Sequence, residues 1–106
     1  MEFITPPNHF GFHAKKIYGT PIEGILKDCA IAYIDPAGGG PVPMHHHAHN
    51  HFFIVTEGEA TIYENDRKTI VKKEEAIYVK GENLHTIRNE SNQLLKMIGI
   101  TIQPEK

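Results

Sequence analysis

Apolar and polar side chains along this chain follow the order expected of short strands, not helices. Apolar residues seldom recur at three and four, and Gly and Pro punctuate often. Alternating or briefly continuous apolar stretches instead predict strands over residues 24–34, 43–47, 51–56, 60–64, 68–71, 76–79, 85–89 and 94–102. They are short and closely spaced, which suits an antiparallel sandwich or barrel. Parallel pairing would need helical crossovers, and the spacing leaves no room for them. Turn chemistry fills the gaps. The three glycines and two prolines of residues 35–41 predict a loop, Glu57-Gly58-Glu59 a tight reversal, and Asn65-Asp66 a hairpin tip. Residues 1–23 carry Pro6, Pro7, Gly11 and Gly19, and read as an N-terminal arm, an edge strand or a segment packed on a partner. Residues 24–106 form the barrel domain.

A length of 106 residues fits one such domain and no second one. The formal net charge of −2 lacks the basic excess of a nucleic-acid binder, so no nucleic-acid partner is expected. The longest apolar runs, such as Ile98 to Ile102, are far too short to span a bilayer, so no membrane association is expected either. The N-terminus lacks a basic segment followed by a long apolar one, and Cys29 is the single cysteine. Both features point to the cytoplasm. One thiol also excludes an internal disulfide and a cysteine-based zinc cage.

Histidine changes the picture. There are eight, and five of them lie between His45 and His51. The run is internal, is interrupted by Ala48 and Asn50, and leads into an apolar strand, which is not how an expression tag is built. Residues two apart on a strand share a face, so His45 and His47 project together while His46 projects away, toward solvent or an interface. His51 keeps the parity of His47, with a bulge or turn at Ala48-His49 to re-aim it. His85 opens a later strand and can meet the same centre from another part of a barrel wall. Four neutral imidazoles suit one divalent transition-metal ion: manganese, iron, nickel, copper or zinc. With no carboxylate in the set, the ion keeps its full charge, which favours an anionic ligand and acidifies a bound water. His49 belongs either at the pocket mouth or in solvent. His9 and His13 read as ordinary surface or hydrogen-bonded residues.

These spacings resemble the cupin superfamily. Its first motif runs Gly, five residues, His, one residue, His, three or four residues, Glu, six residues, Gly. Here Gly39, His45, His47, His51 and Gly58 stand at those positions, with His51 in place of the Glu. The second motif, Gly, five residues, Pro, one residue, Gly, two residues, His, three residues, Asn, is matched by His85 and Asn89. Glu74, Lys80 and Glu82 occupy its other positions, and Gly81 lies one residue off. The resemblance covers roughly residues 24–102. It implies an all-β double-stranded β-helix, a jelly-roll barrel of six to eight strands with the ion inside toward one open end. It also implies a homodimer. That fits Phe52 and Ile54, which lie opposite His51, Phe53 and Val55 and need cover from a second sheet, the N-terminal arm or a partner. Parity, with the family as guide, puts Phe53, Ile87 and Met97 on the pocket wall.

The resulting expectation is a metal-dependent enzyme, dioxygenase-like or isomerase-like, acting on a small organic molecule. The alternative is a barrel that binds or senses a metal and a small ligand without turnover. A third reading is a metal-free barrel with clustered histidines. Tyr33, Tyr63 and Tyr78 are the candidate acids, and no general base stands out.

Overall fold

The computed structural model describes residues 2–18 and 26–104, and the strands follow from the alternation described above. They are β1 (Phe10–Tyr18), β2 (Leu26–His45), β3 (Asn50–Glu57), β4 (Glu59–Glu64), β5 (Arg67–Lys72), β6 (Ala76–Val79), β7 (His85–Arg88) and β8 (Leu95–Ile102). All pairings are antiparallel, in the order β5-β4-β7-β2-β8-β3-β6, with β1 added on β2. The protein is an all-β jelly-roll barrel. Inward positions build its core: Ile34, Val55, Ile62, Val79, Leu95 and Met97 are almost wholly buried. Ile34 and Leu95 face each other across β2 and β8. Truncating either to Ala would cost about 2–5 kcal/mol.

Residues 35–41 are not a loop. They lie within the 20-residue strand β2, and Gly38 to Pro41 are buried. Here β2 passes between sheets. Its first half pairs with β8, its last part with β7, and Gly39 also faces Phe10 of β1. Backbone on both sides comes too close for side chains, so the glycines that look like breakers permit an irregular strand. At Gly40, where φ is 149°, an added Cβ would lie 2.5 Å from Cγ of His9.

Gly58 also differs from expectation. It turns the chain from one sheet to the other without forming a hairpin, since β3 pairs with β6 and β8, and β4 with β5 and β7. Asn65-Asp66 does join a two-stranded hairpin, with Glu64 facing Arg67 and Asn65 at φ 52°. In the N-terminal segment, β1 runs along β2, and Ile4 bridges to Ala14. The expected boundary at residues 23 and 24, and the expected strand start at Gly24, lie outside the described residues.

Candidate metal centre

The histidine strand ends sooner than alternation predicts. β2 stops at His45, and residues 46–49 form an irregular connection to β3. Backbone docking therefore brings the imidazoles together, not strand parity. The His47 amide donates to the Gly81 carbonyl at 2.7 Å, and the Gly81 amide donates to Asn50 Oδ1 at 2.9 Å. The Asn50 amide nitrogen in turn donates to the Tyr78 hydroxyl at 2.7 Å. Gly81 is the residue that permits this approach. A Cβ there would run into the carbonyl oxygens of His49 and His47 and lie 2.8 Å from His47 Nδ1. The sequence signal for this role was present as the misplaced glycine of the second motif.

His47, His51 and His85 each offer a ring nitrogen, and these atoms lie within 4.8 Å of one another. Nε2 of His47 and Nε2 of His51 are 3.3 Å apart. His85 is 3% exposed. Its Nδ1 lies 2.8 Å from the Asn83 carbonyl, which can only accept, so in the neutral ring Nδ1 carries the proton and Nε2 keeps a bare lone pair. His51 Nδ1 faces the Thr101 hydroxyl at 3.5 Å. At His85, fixing the outer nitrogen in this way selects the tautomer a metal needs, whereas the Thr101 hydroxyl can donate or accept and sets none at His51.

The electrostatics agree with that use. Burial first, then the neighbouring His47 and His85, hold His51 down to about 4. Burial first and then His85 also lower His47, against a raising hydrogen bond to the backbone of His49. Rings that resist protonation are available as ligands.

His45, the remaining expected ligand, faces His85 across β2 and β7 and lines the same cavity. It is not in the group of nitrogens within 4.8 Å. That cavity, about 270 Å³, is also lined by Pro6, His9, Phe12, Gly40, Pro41, Phe53 and Ile87. Among the described residues lining it, none is acidic and none is a lysine or arginine. His9 enters from the N-terminal segment, a residue that the sequence left as ordinary surface or hydrogen-bonded core and outside the site. Its Nδ1 donates to the Pro7 carbonyl at 2.8 Å, and its ring meets Phe12 edge-on at 4.5 Å. Burial, and secondarily His45, lower its basicity. No local pattern marks His9; only the pairing of β1 with β2 brings it in.

A smaller cavity of about 130 Å³ adjoins the first. Phe53 and Ile87 line both, and Met97 lines the smaller. His49 lines neither, and His46 is exposed. The tyrosines named as candidate acids lie elsewhere. Tyr63 donates to Glu90 Oε2 at 2.7 Å, Tyr33 meets Phe3 at 5.6 Å, and Tyr78 is engaged by Asn50.

Comparison with known proteins agrees with this architecture. Among curated protein sequences none matches significantly. A cupin-domain family model (Cupin_2) matches residues 32–101. Solved structures with the same fold include a predicted oxalate decarboxylase from Thermotoga maritima, at a TM-score of 0.80 and 17% identity over 97% of this chain and 91% of that one. The polyketide cyclase RemF from Streptomyces resistomycificus superposes at 0.79, with 21% identity over 97% and 72%. The cupin domain of an XRE-family transcriptional regulator from Enterobacter cloacae superposes at 0.78, with 14% identity over 91% and 100%. With a barrel of this topology and a family match across most of its length, the chain belongs to the cupin-domain family.

Proposed function

We propose that this protein holds one divalent transition-metal ion through His47, His51, His85 and His45, and acts as a metal-dependent enzyme on a small organic molecule. The observation that carries the reading is the convergence of three ring nitrogens within 4.8 Å, with the buried His85 ring turned by the Asn83 carbonyl to present Nε2. A divalent ion so placed supplies Lewis acidity toward an oxygen of the substrate, water or dioxygen. The protein's own share is to bind and to orient. Asn83 fixes the outer nitrogen of His85, Thr101 stands 3.5 Å from that of His51, and Gly81 anchors the loop that carries His47. The cavity wall brings no carboxylate to offset the ion's charge, so an anionic ligand is favoured. Reaction of dioxygenase or isomerase type is the reading we favour; the fold's neighbours include a predicted oxalate decarboxylase and a polyketide cyclase, so turnover in such a barrel is a reasonable expectation.

Elemental analysis of untagged protein tests the metal, with close to one ion per chain expected and His47→Ala reducing uptake. Oxygen consumption and product analysis with catechols, diketones and thiols test turnover. If metal is bound but no candidate is consumed, the protein is a ligand-binding barrel, the reading favoured by its likeness to the cupin domain of a transcriptional regulator. We further propose a cytoplasmic homodimer. Phe52 and Ile54 on the outer face of β3 are only partly covered within one chain, and light scattering reads the assembly.

A further inference from the structure

The two adjoining cavities differ in chemistry, and together they describe a ligand. The larger one holds the imidazoles, including the almost wholly buried His85, whose Nε2 has no hydrogen-bond partner among the described residues. The smaller one is lined by the His51–Phe53 pair, whose rings stack at 5.4 Å with planes 18° apart. Phe12, His51, Phe53 and Ile87 line both, so the two cavities meet at these four side chains. Small residues on three neighbouring strands open the inner space: Ala14 on β1, Ala30 and Ala32 on β2, and Gly99 on β8. Ala14 faces Ala32, and Ala30 faces Gly99. Among the described residues lining it, only His51 and Thr101 carry polar side chains, and these face each other at 3.5 Å. An occupant of the smaller chamber therefore meets a largely apolar wall. Its volume of about 130 Å³ is close to the roughly 150 Å³ at which a dry apolar cavity accepts benzene.

We infer that the ligand is a small carboxylate or enolate carrying one apolar group no larger than a phenyl ring. The anionic head sits among the histidines and the apolar group fills the chamber between Phe53, Met97 and the small residues. The head's position rests on the metal reading above; the chamber does not.

The test uses the full chain loaded with cobalt(II), whose visible absorption reports ligands entering the site. Acetate, benzoate, phenylacetate and naphthylacetate are titrated. The better of the two phenyl acids should bind about tenfold or more tighter than acetate, because burying a phenyl group contributes that much. Naphthylacetate should lose the gain. Ala30→Leu fills the chamber. It should abolish the preference and leave cobalt and acetate affinities unchanged, with Ala30→Val serving should the leucine variant fail to fold. Equal binding of acetate and the phenyl acids in the wild type, or a preference that survives in the variant, overturns the inference. Failure to bind cobalt sinks the metal reading alone. Benzene added to the metal-free protein then reads the chamber. A raised melting temperature in the wild type but not in the variant supports it, and no rise in the wild type overturns it.

Discussion

His85 opens strand β7 and Asn89 follows its last residue, and both are buried polar side chains, 3% and 0% exposed. They are buried to opposite ends. Asn89 uses everything it has. Its amide donates to the Ile34 and Gln93 carbonyls at 2.9 and 2.7 Å, and its oxygen accepts from the Ser91 amide and hydroxyl at 3.1 and 2.7 Å. That is the full capacity of an asparagine, and it ties the turn before β8 to β2. His85 is bonded on one side only, and its other nitrogen looks into a cavity beside His47 and His51. A satisfied buried group holds a fold together. A ring nitrogen that faces a cavity beside others of its kind is what the proposed metal site requires.

This contrast can be broken by experiment. His85→Ala should lower metal affinity by at least about a hundredfold, since even losing an outer partner of a ligand costs tenfold to a hundredfold. Calorimetric titration with zinc measures it, and an affinity within a few-fold of wild type would end the site's claim. Asn89→Ala should do the reverse. It removes the donors to the Ile34 and Gln93 carbonyls, the second of which keeps the Ser91 hydroxyl at 3.2 Å, so unfolding in urea should show a loss of about 1–3 kcal/mol, while the folded fraction binds metal normally. Gly81→Ala should combine both losses, because its Cβ collides with the carbonyls of the histidine loop.

Acid sharpens the same contrast. His51 titrates near 4 when folded, against 6.5 ordinarily, so between those values the unfolded chain binds a proton that the folded one does not. Stability of the metal-free protein should be full above pH 6.5 and fall as pH drops toward 4, read as a shift of the urea midpoint. Bound metal should steepen the fall, because protons then also release the ion. Asn89 has no part in this, so Asn89→Ala should shift the whole curve without changing its slope. The smallest effect belongs to Thr101→Val. Its hydroxyl is 3.5 Å from His51 Nδ1, a long contact, and a decrease in metal affinity of about tenfold or less is expected.

The sequence made the barrel and the histidine cluster legible for different reasons. Alternation revealed the strands because each has one face in the core, as Phe53 and Val55 show on β3. The histidine spacing named His47, His51 and His85, although the reason given for it, shared strand parity, is not how they meet: His47 lies beyond β2 and is held by Gly81. Residues 35–41 misled because Gly and Pro carry the same local signal in a loop and in a strand pressed between two others. Only the neighbours, β1 and β7, distinguish the two. His9, Phe12 and the small-residue chamber were invisible for the same reason. They depend on which strands are adjacent, which is long-range information no local window contains.

The cavity wall draws on both extremities of the folded chain, from Pro6 and His9 to Thr101. Completion of the pocket must therefore be a late event. A nascent polypeptide released only as far as β7 would own every histidine of the cluster yet lack β8, the strand that separates β2 from β3 and carries the hydroxyl behind His51. Under the proposed metal binding, capture of an ion by such an intermediate would hold the rings without their scaffold, so the order of strand assembly would also govern when that ion could be admitted.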